Sequence, residues 1–237
     1  MSCTNIKSDL KKLANPEKAK AWQRFYKTGK DQYAEGDVFL GISVPEQRKI
    51  AKGYYKNIPL KEVEQLLESE IHEHRLTALI ILVEKYKKAK KDNLQKRQIF
   101  EFYLKNTKKI NNWDLVDLSA PNIVGDFSLK DGTHIIRFLA KSDNLWEKRI
   151  AILATFAFIK KRNFGESLFI ADALMNDEHD LIHKAVGWML REVGKRNLPV
   201  LELFLSTRYK QMPRTMLRYA VEKFPEEKRK KYLKGEI

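Results

Sequence analysis

The chain has 237 residues, 43% hydrophobic and 32% charged, which is enough apolar content for a packed core and excludes a disordered segment. Lysine and arginine outnumber aspartate and glutamate by 46 to 31, and the resulting net charge of +15 favours a polyanionic partner. No apolar run nears the ~18 residues of a membrane span, Met1–Leu10 is too charged for a signal peptide, and the lone Cys3 cannot close an internal disulfide, so the expectation is a cytoplasmic protein.

Apolar residues recur at spacings of three and four, which predicts helices. Ile6, Leu10 and Leu13 mark a short first helix ending at Asn15-Pro16, with Cys3 on a frayed end. Pro16 heads a second helix whose aromatic face carries Trp22, Phe25 and Tyr26. Residues 28–41, with Gly29, Gly36 and Gly41, form the longest irregular stretch. Ser43-Val44-Pro45-Glu46 reads as a capping box opening a helix to about Tyr55. Pro59 precedes a helix on Leu60, Val63, Leu66 and Leu67, and longer ones run from about His74 to Lys88 and from Leu94 to Leu104. Asn112 is placed to cap the Trp113–Asp117 segment, and Pro121 ends or kinks it. Helical periods resume over 135–139, 145–159, 168–174, 182–193, 200–205 and 216–224, before a charged final helix. The fold class is therefore all-α, with about a dozen helices. The five histidines do not cluster with cysteine, His72 and His74 are only two apart, and no HExxH motif exists, so no metal site is expected.

A unit also recurs. Arg75-Leu-Thr-Ala78, Arg149-Ile-Ala151, His183-Lys-Ala185 and Arg218-Tyr-Ala220 each place a basic residue shortly before a small alanine. Alanines 151, 185 and 220 are 34 and 35 residues apart, and 78 to 151 spans 73, two such periods. This predicts a single domain over 1–237, a HEAT-like or armadillo-type α-solenoid of antiparallel helix pairs with a concave basic groove. The alanines would mark close helix approach. Arg75, Arg149, His183 or Lys184, and Arg218 would stack along the groove facing phosphates. The lysine pairs 87–88, 90–91 and 108–109 read instead as solvated helix ends.

Asn111-Asn112-Trp113-Asp114-Leu115-Val116-Asp117 stands out in so basic a chain. On a helix, Trp113 and Asp117 lie side by side one turn apart, with Asp114 pointing elsewhere. Two readings are open: a packed indole beside a capping or salt-bridging carboxylate, or a pair that faces the groove and takes a cation. Trp188 follows Gly187, a costly residue inside a helix unless something must approach closely. Trp146 fits a core or a stacking role equally. An indole face with a carboxylate beside it suits a positively charged nucleobase.

Three motifs, Trp113-Asp-Leu-Val-Asp117, Leu145-Trp-Glu-Lys-Arg149-Ile-Ala-Ile-Leu and Lys184-Ala-Val-Gly-Trp188-Met-Leu-Arg-Glu, resemble the AlkD family of HEAT-like DNA alkylation-repair glycosylases. The resemblance runs from Asn15-Pro-Glu-Lys to Pro213-Arg-Thr-Met-Leu-Arg. It implies hydrolysis of the N-glycosidic bond of cationic N3- and N7-alkylated purines in duplex DNA, without a deep base-flipping pocket. It implies Asp117 as the catalytic carboxylate, Trp113 and Trp188 as aromatic contacts to the damaged nucleotide, and Arg149 as a phosphate contact. Lys184, Arg191 and Arg218 are expected on DNA with it. Phe25 stands where the family places a tyrosine, so the hydroxyl and its hydrogen bond are expected to be lost, and segment 28–38 is altered in length. No cofactor or metal is implied, and a monomer, nucleoid-associated when bound to DNA, is expected. Two alternatives stay open: a non-catalytic, structure-specific DNA-binding relative, and a solenoid adaptor for an acidic protein.

Overall fold

The computed structural model describes all residues, Met1–Ile237, as sixteen α-helices with a single isolated parallel bridge, Val38 to Ile71. No helix is long and apolar enough to cross a membrane. The chain divides into two compact units, Met1–Ile123 and Val124–Ile237.

The first unit contains α1 (Cys3–Lys11), α2 (Pro16–Phe25), α3 (Val44–Tyr54), α4 (Leu60–Leu67), α5 (His72–Lys88), α6 (Asn93–Lys105) and α7 (Trp113–Ser119). Helix α5 is its centre. Its residues from His72 to Val83 are all buried, because α1, α3, α4, α6 and α7 pack around it. The N-terminus corrects the expectation of a frayed end. Cys3, Ile6 and Leu10 are buried, and the Cys3 amide donates to Glu62 Oε2 at 2.7 Å. Three apolar residues on one face of α1 suffice to dock it against α3 and α4. The predicted capping box is present: Glu46 Oε2 accepts from both the Ser43 amide and its hydroxyl, at 2.9 and 2.6 Å.

The long segment between α2 and α3 is anchored rather than loose. The fully buried Glu73 carboxylate accepts from the amides of Leu40, Gly41 and Ile42 at 2.9, 2.7 and 3.2 Å. Gly41 has φ +81°, and a Cβ there would lie 2.2 Å from the Asn15 carbonyl oxygen, so only glycine fits. The Val38–Ile71 bridge then carries Asp37 and Phe39 to the N-terminus of α5.

The second unit contains α8 (Asp126–Asp131), α9 (His134–Leu139), α10 (Leu145–Ala154), α11 (Phe156–Lys160), α12 (Gly165–Ala173), α13 (Asp180–Gly194), α14 (Leu198–Ser206), α15 (Arg214–Ala220) and α16 (Glu226–Lys234). The predicted continuous helix over 145–159 is divided at Thr155. Its hydroxyl and its amide both donate to the Ile152 carbonyl, which ends α10 by turning the chain. Helix α13 is the centre here, and Ile182, Ala185, Val186, Met189, Leu190 and Val193 are buried against α10, α14 and α15.

The repeated alanines 78, 151, 185 and 220 are all buried, as close helix approach requires. Gly187 belongs to the same logic. A Cβ on it would stand 2.5 Å from both the Met216 carbonyl oxygen and Tyr219 Cβ of α15. Gly187→Ala gains about 1 kcal/mol of helix propensity but forces α13 and α15 apart, an overpacking cost of about 1–3 kcal/mol. The net expectation is a lower urea midpoint at unchanged slope; a rise in the midpoint would show that the helices separate freely.

Candidate functional site

In the first unit the expected Trp113 and Phe25 are joined by Tyr26, Tyr33, Phe39 and His72, which the sequence reading did not select for the site. The Asn112 side chain caps α7, its Oδ1 accepting from the Trp113 amide at 2.8 Å, so Trp113 opens the helix with Asp117 one turn later. Both side chains are half-buried. The Trp113 ring stacks on Tyr26, with centroids 5.2 Å apart and planes 15° apart, and its Nε1 donates to the Tyr33 hydroxyl at 3.2 Å. The stack continues from Tyr26 to Phe39 (4.9 Å, 23°) and from Phe39 to His72 (4.6 Å, 26°). Phe25, 63% exposed, stands edge-on to Trp113 with centroids 5.9 Å apart.

The hydroxyl expected to be absent at position 25 is absent. The neighbouring Tyr26 brings one to the same cluster, donating to Asp114 Oδ2 at 3.0 Å. Burial, and then the Asp114 charge, push the Tyr26 pKa well above the usual tyrosine value, so it stays a donor.

Beneath the stack lies a charged interior. His72 is buried with both ring nitrogens on carboxylates: Nε2 is 2.8 Å from Asp114 Oδ2, and Nδ1 is 3.2 Å from Asp37 Oδ2. Burial alone would lower its pKa. The Asp114 charge and the two hydrogen bonds outweigh that and hold it at about 9. Asp37 also accepts from Arg75 Nη2 at 2.6 Å and Asn112 Nδ2 at 3.1 Å. Its burial acts upward, but the His72 hydrogen bond and the Arg75 charge keep the carboxyl below its usual range. His74, two residues further along α5, shows the opposite outcome. Burial, then Lys7 and Arg75, lower its pKa to about 4, and its Nδ1 is 2.8 Å from the Ser69 hydroxyl.

Asp117 lies close enough to influence Tyr103. That phenol is fully buried, 2.9 Å from the Ser119 hydroxyl, and its pKa is raised by burial with the Asp117 charge adding to the effect.

In the second unit Trp188 is half-buried on α13, its ring centroid 6.4 Å from that of Phe156. Trp146 is a core residue. The expected row of open cations is only partly present. Arg75 faces Asp37 and the Ser69 and Glu70 carbonyls, and Arg149 is 5% exposed with Nη1 donating to the Leu181 carbonyl at 2.7 Å. Both arginines are themselves buried and bonded within the protein, which corrects their expected place on an open wall. Lys184 pairs with Asp180 at 2.6 Å, and Arg191 pairs with Glu222. Arg218 is exposed.

These features fit what the chain resembles. A family described as DNA alkylation repair enzyme matches residues 6–224. Among solved structures, one from Enterococcus faecalis described as a predicted DNA alkylation repair enzyme has a TM-score of 0.70 at 19% identity, covering 90% of this chain and 98% of that one. AlkD2 from Streptococcus mutans has a TM-score of 0.57 at 22% identity, covering 78% and 91%. The smu.31 protein of Streptococcus mutans UA159 has 0.56 at 21%, covering 76% and 92%. At these identities the likeness is one of fold, an all-α, HEAT-like helical repeat. No curated protein gives a significant match. With the family match spanning nearly its whole length, the chain belongs to the DNA alkylation repair enzyme family, the one its Trp113–Asp117 and Lys184–Glu192 motifs resemble.

Proposed function

We propose that the protein is a DNA glycosylase that hydrolyses the N-glycosidic bond of cationic N3- or N7-alkylated purines in duplex DNA. The observation that supports this most directly is on α7, where the Asp117 carboxylate and the Trp113 indole, both half-buried, lie one helical turn apart. An alkylated purine already carries positive charge. When the bond from C1′ breaks, its electron pair neutralises the base, which leaves without a general acid. The positive charge passes to the deoxyribose, and a carboxylate beside it stabilises that charge and orients the attacking water. The water adds to C1′ and its proton is lost to solvent. Trp113 supplies an aromatic face for the cationic base.

Phosphate contacts fall to the cations with solvent access. Arg218 is exposed, and the Lys184–Asp180 pair, 40% and 54% exposed at its side chains, is weak enough to exchange for a phosphate. Arg149 braces α10 to α13 through the Leu181 carbonyl and thereby supports the helix that carries Trp188.

Asp117→Asn is expected to lose about 10²–10³-fold in single-turnover release of N7-methylguanine from a duplex, with affinity for that duplex kept within about twofold. Equal release by both proteins would remove Asp117 from the mechanism. If neither released base and both bound, the chain would be a non-hydrolytic DNA-binding member of its family. Arg218→Ala should lower duplex affinity and reduce the magnitude of the log–log salt slope by about one, whereas Arg149→Ala should cost about 1–3 kcal/mol in thermal unfolding. A salt slope unmoved by Arg218→Ala would take that residue off the phosphates.

A further inference from the structure

The imidazole of His72 has carboxylate oxygens at both nitrogens. A neutral imidazole has one N–H, so it can donate to only one of them and must turn a lone pair toward the other at hydrogen-bond distance. Only the imidazolium satisfies both. The charges agree: Asp37 and Asp114 bring two negatives, Arg75 brings one positive, and a charged His72 closes the balance. The other groups near this cluster are Tyr26, which is a donor, Tyr33, whose hydroxyl accepts from Trp113 Nε1, the Leu115 amide, which donates to Asp114 Oδ1, Phe39, which is apolar, and Glu73, whose carboxylate is spent on the amides of Leu40, Gly41 and Ile42.

What this interior holds in place is the floor under Trp113. Asp114 Oδ2 accepts from both His72 Nε2 and the Tyr26 hydroxyl, and the Tyr26 ring lies parallel to the indole. Asp37 reaches the same helix by a second route, through Asn112, whose Oδ1 caps α7 at the Trp113 amide. We propose that His72 is a positioning residue for Trp113: as an imidazolium bridging Asp37 and Asp114, it fixes the carboxylate that holds the Tyr26 hydroxyl, and with it the ring stacked on the indole. It touches no substrate. Its loss of a proton leaves the buried Asp37 and the part-buried Asp114 competing for one N–H, loosens Asp114 and releases Tyr26 from Trp113. The direction in pH follows from the raised value of about 9. The arrangement is intact below that pH and is lost as pH rises through it.

The link to excision rests on the glycosylase reading; the link to Trp113 does not, and the test separates them. The full-length protein carrying 5-fluorotryptophan is followed by ¹⁹F NMR at Trp113, by imidazole NMR at His72, and by single-turnover release of N7-methylguanine, from pH 6 to 10. The expected result is a His72 midpoint near pH 9, a Trp113 signal that moves with the same midpoint, and release that falls about tenfold per pH unit above it. Asp114→Asn should shift the His72 midpoint, and the Trp113 transition with it, down by at least one unit. Tyr26→Phe keeps the ring but should sharply reduce the response of the Trp113 signal to the His72 titration, leaving only what passes through Asp37 and Asn112. Where Asp114→Asn fails to fold, wild type and Tyr26→Phe alone decide the matter. A His72 midpoint near its ordinary value, or a Trp113 signal flat across the His72 transition, overturns the proposal. A wild type that releases no base while its Trp113 signal still follows His72 upholds the positioning role and removes only the glycosylase reading.

Discussion

The interior of the first unit depends on the burial of Asp37. At 5% exposure its carboxylate would cost several kcal/mol if left alone, and it is tolerated because Arg75, His72 and Asn112 all donate to it. These donors come from α5 and from the N-terminus of α7, so satisfying one charge fixes two helices and the loop that bears it. Two opposed pH dependences follow. The depressed Asp37 pKa gives stability that is complete above the ordinary carboxylate range and fades as pH falls through the folded value. The raised His72 pKa gives stability that is complete below about 6.5 and fades as pH rises through about 9. Both contributions are whole only between about pH 4 and 6.5.

Local features were legible in the sequence because their causes are local. The Ser43–Glu46 box, the Asn112 cap, the apolar stripe of α13 and the close approach at Gly187 each follow from residues within a few positions or from one glycine in a helix. The placing of Trp113 and Asp117 one turn apart on a single helix was legible because motif and periodicity coincide there. The polar interior was not, because its partners lie far apart in the chain: Asp37 to His72, His72 to Asp114, Tyr26 to Asp114 and Asp37 to Asn112 are separated by 35, 42, 88 and 75 residues. Helical periodicity carries no information at that range. One signal was present: the charged group HEHR lies at the head of the otherwise apolar helix 72–83, so these polar groups had to be buried and therefore paired. Read only for metal spacing, His72 and His74 gave nothing. The break at Thr155 escaped for the converse reason, since apolar periodicity continues across it and a threonine hydroxyl on the preceding turn ends the helix.

The surplus of positive charge is also less uniform than the composition suggests. A basic residue before each repeated alanine reads as a row of phosphate contacts, yet two of these residues, Arg75 and Arg149, have backbone carbonyls within reach. A guanidinium with five donors meets that demand better than any other side chain. Arg75 and Arg149 were drawn inward by the Ser69, Glu70 and Leu181 carbonyls, while Arg218 remained outside. Net charge therefore still argues for a polyanion, but the identity of the contacting residues has to be taken from burial rather than from the repeat.

Helix α2 has no buried residue of its own, so it cannot hold its place by core packing. Its attachment is aromatic and polar: Trp22 edge-on to Phe39, Tyr26 between Trp113 and Phe39, and the Tyr26 hydroxyl on Asp114. Elements with so little apolar burial belong to the part of a fold that opens most easily. An indole acts on a cation by where it stands, because the attraction depends on the cation meeting its face. Placing that indole between a rigid, charge-tied interior and a lightly held helix lets the floor stay fixed while Phe25, at the exposed edge, adjusts to what arrives. The hydroxyl of Tyr26 on Asp114 and the Asn15 amide on the Leu40 carbonyl tie the two together, and the first of these is the link through which the proposed role of His72 would act on the indole.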